Sequence, residues 1–192
     1  MPKMTHMSSR RKIVAAIVVL LLAFAGYTGY RILLGRSLSP AAVVAHEQAG
    51  ISLKIEYCRP YKRGRLIFGT ADDGALLPYG KYWRLGANDA TRLTLETDVN
   101  FGGQPLKKGS YSLYAFPEED HWVIGINSEA DRSGSTPPDF SKDVGRIKIQ
   151  VTQTAESQEQ FTISISESGP QALIKMFWDR TSIEIPVKQS NQ

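Results

Sequence analysis

Ile51-Ser52-Leu53-Lys54-Ile55-Glu56-Tyr57 alternates apolar and polar residues without a break. That is the period-2 pattern of a strand with one face buried and the other wet. The rhythm recurs along the chain: Leu93 and Leu95 between Thr91 and Thr97, then Tyr111, Leu113 and Ala115, then Ile147, Ile149 and Val151, then Phe161, Ile163 and Ile165. Gly102-Gly103 and Lys108-Gly109 supply turns. Residues 172–178 and 182–187, separated by Asp179-Arg180-Thr181, read as a terminal hairpin, with Pro186 marking an edge or strand end. Residues 68–80 and 128–141 break the rhythm and read as loops, and no segment beyond residue 40 sustains a 3.6 period. An all-β fold, an antiparallel sandwich or barrel-like domain, is the expectation.

Before this domain, residues 13–30 run eighteen positions without a charge, and Ile32-Leu33-Leu34 extend the run past Arg31. A helix of that length crosses ~30 Å of hydrocarbon. Arg10-Arg11-Lys12 on its N-terminal side, against Arg31 and Arg36 after it, place the N-terminus in the cytoplasm and the domain outside. The partition expected is a basic tail over 1–12, a membrane anchor over 13–34, a linker over 35–42, the β-domain over 43–188 and a short tail over 189–192. Ala23-Phe24-Ala25 also fits a signal-peptidase site, so secretion after cleavage near Ala25 is the alternative.

The chain has 192 residues with 23 basic and 19 acidic groups. Five of the basic ones, Lys3, Arg10, Arg11, Lys12 and Arg31, belong to the membrane segment, and every acidic residue lies beyond it. The domain therefore carries a net charge of −1, and a nucleic-acid partner loses its main electrostatic support. A domain of about 150 residues buries enough surface to be stable without disulfides. Cys58 is the one cysteine and reads as a small buried hydrophobe in preference to a reactive thiol.

His46, His121 and Cys58 have no metal-ligand spacing, and nucleophile-serine, phosphate-loop and calcium-loop patterns are absent, so no cofactor or metal is expected. Glu118-Glu119-Asp120 and Asp72-Asp73 read as solvated loop tips rather than acid/base pairs. The concentrated stretch is 57–91. It holds Arg59-Pro60, Lys62-Arg63-Gly64-Arg65, Phe68-Gly69 and an unbroken Leu77-Pro78-Tyr79-Gly80-Lys81-Tyr82-Trp83-Arg84-Leu85-Gly86-Ala87-Asn88-Asp89-Ala90-Thr91. A flat indole beside guanidinium forks can clamp a carboxylate, phosphate or sugar, which makes Arg59, Arg65, Trp83, Arg84, Asn88 and Asp89 the ligand-binding candidates. The competing reading is structural: Trp83 in the core, Arg84 tied to a nearby acid, and Asn88-Asp89 capping a turn.

These blocks resemble the bacterial family called domain of unknown function 2911. The resemblance is carried by Tyr57, Arg59, Pro60, Arg65, Ile67, Phe68 and Gly69, by Leu77 through Thr91, and by Leu106, Gly109, Tyr111 and Leu113. It covers about residues 40 to 188. Membership implies an exported protein and carries no established activity. Thr70 to Ala75 look like an insertion relative to the family, and Asp89 stands where Glu is common. Together these readings point to a membrane-anchored envelope module that binds a small anionic or carbohydrate ligand, or an envelope partner. The alternatives are a carbohydrate hydrolase or lyase using Asp89 with a loop carboxylate, and a purely structural envelope protein.

Overall fold

The structure is a computed structural model that describes residues 9–190. Residues 1–8 of the expected basic tail and the last two residues lie outside the described part. Helix α1 (Ser9–Leu38) contains one stretch, Lys12–Gly35, long and apolar enough to cross a membrane. Signal sequences share that composition. The linker expected over 35–42 differs: α1 continues to Leu38 and the first strand opens at Ala41, so Ser39-Pro40 is all that remains between them. Proline at 40 disfavours helical backbone at Ser39, which stops α1 there.

From Ser39 onward the described residues form a separate compact unit. Its larger sheet runs β1 (Ala41–Gln48), β2 (Ile51–Cys58), β5 (Thr91–Leu95), β8 (Gly109–Pro117), β9 (His121–Asn127) and β10 (Asp143–Gln150), antiparallel throughout. The smaller sheet runs β11 (Thr152–Ser168), β12 (Gln171–Gln189), β6 (Val99–Phe101) and β7 (Gln104–Leu106). Two short strands, β3 (Phe68–Gly69) and β4 (Leu77–Pro78), pair in parallel within the loop read from 68–80. The segment that looks inserted is a self-contained turn, in which Thr70 and Asp73 bond each other and the Gly74 amide bonds Ala71.

Alternation sorts the side chains of the larger sheet. Ile51, Leu53, Ile55, Leu93, Leu95, Leu113, Trp122, Ile124 and Ile126 face one core, joined from the smaller sheet by Phe101, Phe161, Ile163, Ile174, Met176, Trp178 and Val187. The chain is an all-β sandwich. At its centre Trp83, Trp122, Trp178, Phe68 and Phe161 form an aromatic cluster, with the Trp83 and Trp178 rings stacked 5.9 Å apart.

One expected element is overturned. Residues 172–178 and 182–187 are a single strand, β12, and the hairpin turn lies earlier, at Gly169-Pro170. Asp179 sits at φ +54° in a bulge, where the paired register of β11 skips from Gln153 to Gln158. A bulge absorbs the Asp-Arg-Thr run without ending the strand. Pro186 does not mark an outer edge either, because β12 lies between β11 and β6. The proline is tolerated because the β11 ladder has ended at Thr152 opposite Ser182.

Candidate functional site

The six candidates from the sequence do not converge on one opening. Arg59 donates through Nε to the Phe161 carbonyl (3.3 Å) and through Nη2 to Thr162 Oγ1 (2.9 Å), tying the end of β2 to β11. Arg65 bonds the carbonyls of Lys62 and Tyr61 within its own turn. Trp83 is buried in the aromatic cluster and donates its indole N–H to Gly86. Arg84 donates to the Asn88 carbonyl (3.2 Å) rather than to an acid, and Asn88 reaches the Ser39 carbonyl (3.4 Å). Asp89 is exposed and lines a groove.

The backbone between Trp83 and Asp89 explains this split. Leu85 is fully buried yet holds φ +58°, Gly86 holds +150° and Asn88 +57°. A branched apolar residue in the left-handed region is strained, and such strain persists only where neighbours over-determine it. Here Thr91 Oγ1 donates to the Leu85 carbonyl (2.5 Å) and Trp83 to that of Gly86 (3.1 Å), while Gly86 lies so close to Cys58 that a Cβ would stand 2.8 Å from its carbonyl. The chain thereby reverses direction between a core indole and a surface carboxylate. A second loop locks onto it: Asp89 and Ser133 form an isolated bridge, and a Cβ on the buried Gly134 would meet the Asn88 carbonyl at 2.7 Å.

Between these two loops and strands β1, β2 and β5 lies a groove of about 480 Å³. Its polar lining is Glu56, Asp89, Arg92, Asp131, Arg132 and Ser133, with Cys58 and small apolar residues such as Val43 and Ala90 between them. Arg92 grips Asp131 with both terminal guanidinium nitrogens, Nη1 and Nη2 (2.7 and 3.3 Å), and Arg132 bonds the Thr136 carbonyl and, at 3.4 Å, the Tyr82 hydroxyl. Among the described residues three buried polar side-chain atoms have no hydrogen-bond partner: Arg92 Nε, Ser112 Oγ and Trp122 Nε1. Ser112 stands directly across the ladder from Arg92 on the same outward face. Sequence reasoning missed Glu56, Arg92, Asp131, Arg132 and Ser133. The available signal was Arg92 at an outward position of an apolar strand, together with Asp131-Arg132 in an otherwise Ser/Gly/Pro-rich loop.

At the other end of the same outer face the polar groups around Asp143 are satisfied. Asp143 accepts from Tyr114 (2.5 Å), Asn127 (2.9 Å) and Arg146 (2.8 and 2.9 Å). Arg146 covers the rings of Tyr114, Phe116 and Phe140. Burial, reinforced by the bond to Asp143, pushes the Tyr114 hydroxyl well above the ordinary tyrosine range. Among the described residues no group of three or more His, Cys, Asp or Glu is placed to hold a metal.

An all-β sandwich behind an apolar N-terminal helix, with its longest motif folded into a strained loop beside a groove, is the class that fold and site define. Residues 39–187 match the family model described as Protein of unknown function (DUF2911). The chain belongs to that family, as its motif blocks suggested. Neither the curated proteins nor the solved structures contain a match to the chain.

Proposed function

We propose that this protein is an extracytoplasmic binding module that holds a small hydroxylated ligand, sugar-like in its chemistry, in the groove between residues 87–90 and 130–133. The observation that carries the reading is the strained Leu85–Asn88 backbone locked against Gly134, which fixes Asp89 at the groove. Strain of this kind concentrates at ligand sites because pre-organisation there is worth its cost. The lining mixes donors and acceptors with small apolar patches, as hydroxylated ligands require. The anionic-ligand reading loses support, because Arg59, Arg65 and Arg84 do not line the groove and Arg92 is paired with Asp131, which leaves Arg132, bonded to the Thr136 carbonyl and the Tyr82 hydroxyl, as the lining guanidinium without an acidic partner among the described residues.

A second reading draws on the same place. Asp89 shares the groove with Glu56 and Asp131, and two carboxylates ~5–10 Å apart across a sugar are the machinery of glycoside hydrolysis. The test for both is to incubate the full-length protein in detergent with a panel of neutral, amino and acidic sugars. Melting temperature and product formation are then followed. A ligand at 100 times its dissociation constant adds ~2.7 kcal/mol, a rise of several degrees. Stabilisation without turnover is expected. Turnover moves the assignment to the hydrolase, and the absence of any stabilisation overturns both readings. The location is tested by a reporter fused after Gln192 that is active only outside the cytoplasm, and an inactive fusion reverses the topology.

A further inference from the structure

We propose that two copies of this chain associate through β1, each offering its free strand edge to the other in antiparallel register, so that their six-stranded sheets join into one continuous sheet. The inference is independent of what the groove binds.

Strand β1 is an outer strand of the larger sheet and pairs only with β2. Its hydrogen bonds to β2 fix which of its backbone groups are spare. The Pro40 carbonyl accepts from the Arg59 amide, and on the other side of β2 the Ser52 carbonyl accepts from Glu96, just past β5. In an antiparallel ladder this alternation turns the even-numbered residues of β1 toward β2 and the N–H and C=O of Ala41, Val43 and Ala45 outward. Those outward groups have no hydrogen-bond partner among the described residues.

The other edges of the two main sheets are blunted against such pairing. Strand β10 has a bulge between Asp143 and Gly145 and carries Arg146 and Lys148. Strand β7 is three residues long with Pro105 at its centre. Strand β11 breaks register twice between Gln153 and Thr162, with Glu156 and Glu159 inside the break. None of these devices protects β1, which pairs with β2 in unbroken register over eight residues and holds neither charge nor proline over Ala41 to Ala45. Val43, on this strand, is 59% exposed, the highest value of any large apolar side chain described beyond α1.

The strand is also complementary to itself. A two-fold axis at Val44 sets Val43 against Ala45 of the second copy, His46 against Ala42 and Glu47 against Ala41, so no charge meets a like charge and Val43 gains a cover. The outward groups of residues 43 and 45 then close a ladder on both sides of the axis. Ala42 and Val44 already pack against the core at this edge, and the pairing carries that apolar layer across the axis. This match of the strand to itself assigns the edge to a second copy in preference to a foreign strand.

A single strand pair is a small interface, of the size that gives weak, reversible association, so the test captures it covalently. Full-length protein in detergent, with Cys58→Ala to remove the native thiol, receives one cysteine at a time on β1 and is mildly oxidised. Position 44 stands opposite its own copy at about 4.5 Å between Cα atoms, within disulfide range. Position 42, on the same face, lies four residues along the strand from its own copy, roughly 13 Å away. Val44→Cys is expected to give at least tenfold more cross-linked dimer than Ala42→Cys. Equal yields, or no dimer from Val44→Cys, overturn the pairing. In the chain with its cysteine unchanged, light scattering at rising protein concentration should show a growing mass that Val43→Lys abolishes while the melting temperature stays put. A mass that never rises, or that rises equally in the variant, overturns the proposal as well.

Discussion

The two ends of the outer face of the six-stranded sheet treat polar groups in opposite ways. Over β8, β9 and β10, Asp143 collects Tyr114, Asn127 and Arg146, and the guanidinium is roofed over three rings. Over β2 and β5, Glu56 and Arg92 line a groove together with Asp89, which has no side-chain partner among the described residues, and Arg92 Nε is unpaired; Ser112 Oγ, on β8 between Arg92 and Asn127, is unpaired as well. Same sheet, same face and similar side-chain types give a closed network at one end and spare capacity at the other. The contrast separates polar residues that hold the fold from those that the proposed function assigns to a ligand.

The sharpest way to break the comparison is Asp143→Ala. It strands a buried tyrosine hydroxyl and a buried amide at ~1–3 kcal/mol each, so a loss of about 3 kcal/mol is expected, visible as a melting temperature lower by roughly 6–12 °C. A change below a degree would mean that the closed end holds nothing together. Gly134→Ala comes next. The added methyl meets the Asn88 carbonyl at 2.7 Å and Arg84 Cδ at 2.8 Å, so the two loops must part. A cost of about 1–3 kcal/mol is expected, together with loss of ligand-induced stabilisation. Retained binding would detach the site from the locked loops. The smallest effect belongs to Tyr114→Phe, about 1 kcal/mol near neutral pH.

Tyr114 also makes a pH signature. Its folded pKa is raised, so its contribution is fully present below the unfolded value of about 10 and is lost as pH climbs through the raised folded value. Wild-type melting temperature should therefore fall on the alkaline side, and Tyr114→Phe should fall less steeply. Tyr57, Tyr79 and Tyr111 are also raised by burial and keep some slope in the variant. Identical slopes would contradict the closed network.

Much of the fold was legible because burial on one face writes alternation into the sequence. Strands β2, β5, β8, β10 and β11 carry it plainly. Strand β1 was not, since Ala41-Ala42-Val43-Val44-Ala45 is apolar on both faces at a sheet edge. The continuity of β12 was hidden because Asp179-Arg180-Thr181 spells a turn as readily as a bulge. The motif 77–91 was legible as a unit, but composition carries no direction. Left-handed Leu85 and Asn88 send Trp83 inward and Asp89 outward, and nothing in the letters marks that reversal. Arg92 and Asp131 meet across 39 positions, a pairing with no local trace.

Strand β12 sits inside the smaller sheet, yet it is the last strand in chain order. Val99–Phe101 therefore finds its outer neighbour in Gln104–Leu106 at once but must wait for Val187–Gln189 on its other side. A chain delivered N-terminus first holds Phe101 and Val99 uncovered until its final strand arrives, and closing so long a loop is slow as well as entropically costly. The larger sheet uses strands that are complete by Gln150, so it can form while the second layer is still missing. For that interval the inner face of the first sheet, including Trp122, lies open until the β11–β12 hairpin covers it.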